Sequence, residues 1–522
     1  MSETRPPAPG VRRHLSGAAI LFVARIAAMA FGLLQAVLLA SKFGTSASAD
    51  AFFVAYAVCF LFVAPTEGGL MIAFVPAFVH TTEAEGEESA WRVAAGLCRI
   101  GLIGATSVAL LLAVSSPWLA PLLAPGFDEA TVTLVALFIR VLSPIVVLVF
   151  VAAFLATMDY VSGHYSLPAL AMTAHAMAGP ASLLLFADRF GIIALAWGLV
   201  AGALVRCVIL GLGSPQSTRL LGPAVPLRHP ALRQIGRTIA ARVVTTWFIE
   251  LNMTVDRMFA SFLGPGYVSC LAYASRAVMA VVNAVVMPMG RALMPPLSRL
   301  AARRQHERLR SLLENGVIAV GFVVVPMVVF VASFRVEILT VLFRRGAFDA
   351  ASVEATAYAL LFYSLGIIPF LMTPALNGTF FALGESGVPL RIGMVCVLAN
   401  VVLDAVLILG LGHGGIALAT SLVGAIRASL LWIYLQRQVG ALRSRPVVGS
   451  LLASAAAAAF ALWTALLLVS LGGPEWSHPY RRLAACAVAG GTGYVLLQWV
   501  LNPQVVRLTS SILRRRERAS GL

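Results

Sequence analysis

The sequence predicts an all-α integral membrane protein of about 14 transmembrane helices, arranged as two parallel six-helix repeats, an N-lobe and a C-lobe, followed by two C-terminal helices. Three observations predict it: the composition is too apolar for water, the apolar stretches have the length of bilayer-spanning helices, and the two halves of the chain resemble one another. Of 522 residues, 60% are hydrophobic and only 11% charged, against about a quarter charged in an average soluble protein. Mean hydropathy is +0.91. A single water-soluble core stops growing at roughly 250–300 residues, so a soluble reading needs two or three domains, each with a charged exterior that this sequence lacks. Most of the surface must therefore meet lipid.

A helix needs about 20 mostly apolar residues to cross a bilayer. Fourteen segments qualify, beginning near Ser16, Ala51, Trp91, Thr131, Ser166, Ile192, Thr238, Val268, Glu314, Val353, Gly387, Gly415, Gly449 and Arg482. They are rich in Leu, Val, Ala and Gly and lack the ten-residue alternation of an outer-membrane barrel, which selects helices. The apolar run after Arg12, Arg13 and His14 is too long for a cleavable leader and leads straight into a second apolar segment, so it reads as a permanent anchor. The expected organisation is a cytoplasmic arm (1–15), an N-lobe of helices 1–6 (16–215), a cytoplasmic linker (216–237), a C-lobe of helices 7–12 (238–440), helices 13–14 (441–502) and a basic cytoplasmic tail (503–522).

Loop charges set the orientation. With the N-terminus inside, 23 of the 38 Lys and Arg fall on the cytoplasmic side and 7 on the other. That asymmetry places both termini in the cytoplasm of a multi-pass inner-membrane protein. It also accounts for the net charge of +16 without nucleic acid, which would need the cations gathered on a soluble face. The acidic run Glu83, Glu85, Glu87 and Glu88 reads as a solvated loop or short surface helix. Six cysteines, Cys59, Cys98, Cys207, Cys270, Cys396 and Cys486, lie singly in or beside apolar segments and read as small core residues, without a disulfide framework or a zinc site.

The two halves repeat one another at a distance of about 220 residues. Leu123–Val132 (LAPGFDEATV) aligns with Arg344–Val353 (RRGAFDAASV), and the same offset pairs Ser143 with Ser364, Gly163 with Gly384 and Pro168 with Pro389. Upstream, Ala55 pairs with Ala274 and Pro76 with Pro295; downstream, Ile193–Ala196 recurs as Ile416–Ala419. Six helices per half return the chain to its starting side, so the repeats are parallel and related by a pseudo-twofold axis along the membrane normal. Two bundles rocking about a central cleft is the transporter design this implies.

A charge at mid-membrane costs at least a few kcal/mol and calls for a partner or an aqueous cavity. Arg25 on the first segment, Asp50 and Glu67 on the second, Glu250, Asp256 and Arg257 on the seventh and Arg276 on the eighth fall on the first two helices of each half. They suggest an anion-attracting chamber in which Arg25 and Arg276 bind phosphate while Asp50, Glu67 and Glu250 gate or couple ions. Asp256 and Arg257 lie near the outer end and are expected to snorkel. Arg140, Arg206, Asp404 and Arg427 are expected to pair structurally or sit at interfaces, and His175 and His413 to pack. Gly68, Gly69 and Pro76 in the second segment and Pro295 in the eighth are hinge candidates, since proline removes a backbone donor and glycine permits bending. No catalytic residue, metal site or cofactor is expected, and no G-x-x-x-x-G-K-[ST] loop appears for nucleotide binding.

Several motifs together resemble the MurJ (MviN) lipid II flippase family of the multidrug/oligosaccharidyl-lipid/polysaccharide exporter superfamily. They are Phe43-Gly44 with Ala49–Ala55 (ADAFFVA), Glu67-Gly68 leading to Ala73–Pro76 (AFVP), Ala260–Leu263 (ASFL), Tyr273–Arg276 (YASR) and Leu342–Gly346 (LFRRG). The resemblance runs from about Arg25 to the end. It implies two lobes around a cationic cavity and export of a polyprenyl-pyrophosphate-linked saccharide, lipid II first among them, for peptidoglycan synthesis. It also implies that Arg25 and Arg276 contact the diphosphate and that Asp50 and Glu67 match acidic positions of the family. The partners implied are the lipid-linked saccharide, the bilayer and cell-envelope synthesis proteins; in the absence of a nucleotide-binding loop, Na+ or H+ coupling or the membrane potential is the expected drive. The family's further arginines on its first two helices have no equivalent in Met29–Gln35 or Phe60–Val63. Another lipid-linked polysaccharide unit is therefore an alternative substrate, and a cation-coupled multidrug exporter an alternative activity.

Overall fold

The computed structural model describes residues 9–226, 229–283, 287–385, 387–442, 444–471 and 478–501. Among them every long regular element is a helix and no strand occurs. The contacts divide the chain into two compact units, Met1–Ser269 and Cys270–Leu522.

The first unit holds α1 (Pro9–Phe43), α2 (Ala47–Glu85), α3 (Glu87–Leu123), α4 (Glu129–Leu142), α5 (Pro144–Val161), α6 (Ser166–Phe190), α7 (Ile193–Gly213), the single turn α8 (Ser217–Leu220), α9 (Pro230–Ser261) and the first turn of α10 (Tyr267–Val281). The starts are chemically marked. Ser46 accepts the Ala49 N–H at the head of α2, Asp128 accepts the Thr131 hydroxyl at 2.6 Å ahead of α4, and Pro144 opens α5 where its missing N–H costs nothing. Helix α2 lies against α3, α4, α5 and α9, and α6 against α1 and α7. The core gathers Phe74, Phe78, Trp91, Phe150 and Phe154, with ring centroids 5.4–6.0 Å apart. Lipid is as apolar as these rings, so close packing rather than escape from water holds the helices together.

The expected linker over residues 216–237 is strapped to the first unit. Val225 N donates to the Arg92 carbonyl at 3.2 Å, Arg99 to the Gly222 carbonyl at 2.7 Å, and the Arg219 guanidinium sits 5.2 Å over the Trp91 ring while pairing with Glu87. Helix α9 begins at Pro230 instead of near Thr238, and Leu232 and Ile235 on its first turns enter the aromatic core. Its first turn is built on proline, which is pre-set for that position.

The second unit holds the rest of α10, then α11 (Met287–Ala302), α12 (His306–Ser333), α13 (Arg335–Phe343), α14 (Ala350–Leu365), α15 (Ile367–Ala382), α16 (Gly387–Leu411), α17 (His413–Val439), α18 (Ser444–Leu471) and α19 (Pro479–Leu501). Tyr273 packs against Phe343 and Phe348 at 5.5 and 5.4 Å. Helices α18 and α19 pair with one another and dock on α12, where the Tyr494 hydroxyl donates to the Phe322 carbonyl at 2.9 Å.

The duplication reappears in the backbone. At the offset of 221, α6 and α16 share both ends, α4 and α14 share their starts, and α5 and α15 share their ends. Glycines at equivalent turns take the same left-handed conformation: Gly163 and Gly384 at φ 73° and 79°, Gly191 and Gly412 at φ 66° and 53°. Helix α2 is continuous through Pro65 and Pro76, and its counterpart is described as α10 and α11, on either side of residues 284–286, which lie outside the described residues.

The expected count of 14 spans is only partly reproduced. Among the described residues, 11 helices are long and apolar enough to cross a membrane, or 12 with the pair α14 and α15, bent by 47°, taken as one. The shortfall lies in the first two helices of the second half. Helix α9 carries Arg233, Arg237, Arg242, Glu250, Asp256 and Arg257, which lower its apolar character, and the eighth segment runs over residues 284–286, outside the described residues.

Candidate functional site

Arg25 stands exposed on α1 among exposed apolar neighbours, Phe22, Val23, Ile26 and Met29. It makes no hydrogen bond or ion pair among the described residues. A guanidinium held within an apolar helix at that cost must meet water or an anion, and its planar fork matches phosphate.

Asp50 has the opposite surroundings. It is fully buried near the start of α2. Its carboxylate accepts the Gly266 N–H, the Ser269 N–H at 2.7 Å and the Ser269 hydroxyl at 2.6 Å, and that hydroxyl oxygen lies 3.0 Å from the Gly266 carbonyl oxygen. The two N–H groups belong to the opening of α10, so a carboxylate from α2 caps α10 and meets the positive end of its dipole. Gly266 is required there: its φ is 94°, and a Cβ would sit 2.7 Å from the Thr45 carbonyl oxygen.

Glu250 lies half-buried on α9, with Arg257 two turns further along, and Thr254 donates to its backbone carbonyl at 3.0 Å. On the same helix Trp247 meets Phe62 of α2 edge-on at 5.9 Å. Asp256, expected to snorkel, is instead buried at 5% exposure. A single methylene is too short a stem to reach an interface. The backbones of Glu67, Gly68 and Gly69 belong to α2, while their side-chain surroundings lie outside the described residues. Pro76 and Pro295 are both exposed inside helices, α2 and α11.

Arg276 lies half-buried on α10, in the second unit, so the two candidate phosphate contacts belong to separate units. Among the residues expected to be structural, Arg140 donates to the Ser116 hydroxyl at 2.8 Å, and His413 Nε2 lies 2.8 Å from the Ala355 carbonyl oxygen with its ring 5.2 Å from Tyr358. Asp404, expected to pair structurally or sit at an interface, is fully buried on α16, one turn beyond Asn400, which is 1% exposed and whose side-chain polar atoms make no hydrogen bond among the described residues. A carboxylate and an amide oxygen one turn apart share a helix face, and α16 packs against α17. Such hard oxygen donors suit an alkali or alkaline-earth cation. The spacing N-x-x-x-D within an apolar helix was the available signal for this pair. No disulfide joins any of the six cysteines among the described residues.

A sequence profile described as "Lipid II flippase MurJ" matches residues 39–479. Among curated relatives, the lipid II flippase MurJ of Burkholderia cenocepacia is 24% identical over 417 residues, covering 78% of this chain and 81% of its own. The probable lipid II flippase MurJ of Thermotoga maritima is 27% identical over 397 residues, 75% of this chain and 79% of its own. Among solved structures, the inward closed conformation of a lipid II flippase MurJ superposes with TM-score 0.76 at 20% identity, covering 94% of this chain and all of that one. An inward-facing multidrug resistance transporter of the MATE family follows at TM-score 0.68 and 15% identity, over 79% of this chain and 95% of that one.

Proposed function

The chain belongs to the lipid II flippase MurJ family, and from that premise we propose that it moves lipid II from the inner to the outer leaflet of the cytoplasmic membrane by alternating access. The observation that carries the reading is Arg25, a cation without a protein partner among the described residues, on a membrane helix. Arg25 and Arg276 bind the diphosphate, neutralising the group that lipid rejects, while the polyprenyl tail stays in the bilayer. Both termini lie in the cytoplasm, as the loop charges require. The protein acts by transport rather than catalysis.

Asp50 serves as a latch in this cycle. The cap it forms on α10 exists only while the ends of α2 and α10 adjoin, so parting them exposes three donors to water and sets an energetic step between states. Glu67 and Glu250 are gating or coupling groups, and Gly68, Gly69, Pro76 and Pro295 give the helices places to bend. A Na+ or H+ gradient, or the membrane potential, supplies the drive, and Asn400 with Asp404 offers the oxygen donors for a coupling cation. Cell-envelope synthesis proteins are the partners this work requires.

A second reading, flipping of another lipid-linked polysaccharide unit, is favoured by one observation. Where the family resemblance calls for a cation on α2, Phe60 stacks on Tyr56 at 5.5 Å. Aromatic faces suit sugar rings better than phosphate. Depletion of the protein, followed by identification of the polyprenyl-linked intermediate that accumulates on the cytoplasmic side, separates the readings. Lipid II is expected. A different glycan selects the second reading, and no accumulation in cells without a redundant flippase rejects both. Extrusion of small cationic dyes would point instead to a multidrug exporter.

A further inference from the structure

Helices α6 and α7 approach closely because small residues stand where they meet. A Cβ at Gly198 would lie 2.0 Å from the Ser182 hydroxyl oxygen, and one at Gly202 would lie 2.6 Å from the Ala178 Cβ. Beside this seam opens a cavity of about 330 Å³, with a floor that includes Ala181, Ser182 and Gly198 and walls of Phe186, Phe190 and Trp197. The walls are 43–49% exposed, so the slot opens toward whatever surrounds the helices. At its end, by the Gly191 turn, Arg189 is exposed, with its guanidinium 5.4 Å from the centroid of the Phe190 ring. It forms no ion pair among the described residues, because the neighbouring Asp188 is taken by Lys42.

We propose that this slot holds one acyl chain of an anionic glycerophospholipid whose phosphate rests on Arg189. Both helices qualify as membrane spans, so an apolar slot on them meets hydrocarbon. One turn of a transmembrane helix with its side chains, about 10 Å across and 5.4 Å high, fills roughly 420 Å³, more than the slot offers. A flexible chain can lay part of its length in the slot and leave the rest in the bilayer, which a rigid helix turn cannot do. The aromatic walls and the arginine stand where the helices end and headgroups begin, the depth at which amphipathic rings and cations are favoured. The bound lipid fills the gap beside the α6–α7 seam and anchors the turn, independently of the transported substrate.

The test uses the full chain in detergent, titrated with acyl-brominated phosphatidylglycerol or phosphatidylcholine, whose bromines quench nearby tryptophan. The Trp197 signal is the difference between the protein and Trp197→Phe. Saturable quenching by the phosphatidylglycerol at low lipid is expected. Arg189→Gln should then need about fivefold more lipid, the worth of one interfacial cation, and Ala181→Phe, which fills the floor, should abolish the saturable phase. Arg189→Gln changes only an exposed side chain and keeps the test valid if Ala181→Phe misfolds. Quenching that rises without saturation, equal for both headgroups and unchanged in Arg189→Gln, would mean ordinary boundary lipid and overturn the proposal. So would a dimer seen by size analysis and lost in Ala181→Phe, since a second copy would then occupy the face.

Discussion

Asp50 and Arg25 are both intramembrane charges, yet their environments set them opposite tasks. Asp50 spends its acceptor capacity on the opening of α10. Removing the carboxylate leaves buried N–H groups without an acceptor, so Asp50→Ala should destabilise the protein by about 2 kcal/mol, and Asp50→Asn by less, because its amide oxygen still accepts. Unfolding of the detergent-solubilised protein measures both. Arg25 has no hydrogen bond or ion pair to lose among the described residues. Arg25→Ala should leave the unfolding midpoint within about 0.5 kcal/mol of the parent while abolishing support of growth at normal protein level; growth rescued fully by the variant would remove Arg25 from the substrate site. The charge of Asp50 was readable from sequence. Its partners were not, since two of the three donated hydrogens are backbone groups that carry no residue signature. Ser269 lies 219 residues from Asp50, a spacing of the duplication, so the two side chains that bond hold equivalent places in the two halves.

Helix ends carry the repeat more faithfully than helix interiors. Gly163 and Gly384 share a left-handed turn with no atom within 4 Å of a would-be Cβ, so only backbone strain opposes a substitution. Gly163→Ala and Gly384→Ala should each cost about 1 kcal/mol, and the double variant their sum, read from thermal midpoints. Asp128 and Asp349 precede α4 and α14 at the same repeat position. The Thr131 hydroxyl holds the Asp128 carboxyl below the usual carboxylate range, and the Ser352 N–H, at 2.8 Å, does the same for Asp349. A depressed folded-state pKa stabilises above the unfolded pKa and is lost as pH falls through the folded one. The midpoint gap between the parent and Asp349→Ala should therefore be constant near neutrality and narrow in acid, below the ordinary carboxylate pKa. A gap independent of pH would show that the charge contributes nothing.

At the scale of the molecule, apolar segments and their repeat were legible because both depend on residue type along the chain. The boundary between compact units was not. The duplication divides the chain before α9, whereas the contacts divide it at Ser269, because the strap over α3 and the docking of Leu232 and Ile235 hold α9 in the first unit. Asp404 belongs to this scale, since the role proposed for it concerns the energy source of the whole cycle. Asp404→Asn should abolish the response of reconstituted transport to an imposed Na+ or H+ gradient and spare any response to voltage. Transport in vesicles with each gradient set separately reads this out. An unchanged ion response would remove the Asn400 and Asp404 pair from coupling.

By itself the sequence determined that the protein lives in a membrane, that it is helical and that it is built from two copies of one plan. These follow from hydropathy, segment length and self-similarity, which are properties of a line of residues. Tertiary structure decided what surrounds each buried charge. A carboxylate becomes a cap or a candidate cation ligand according to which backbone and side-chain groups come within 3 Å, and those arrive from distant parts of the chain, as Gly266 and Ser269 do for Asp50.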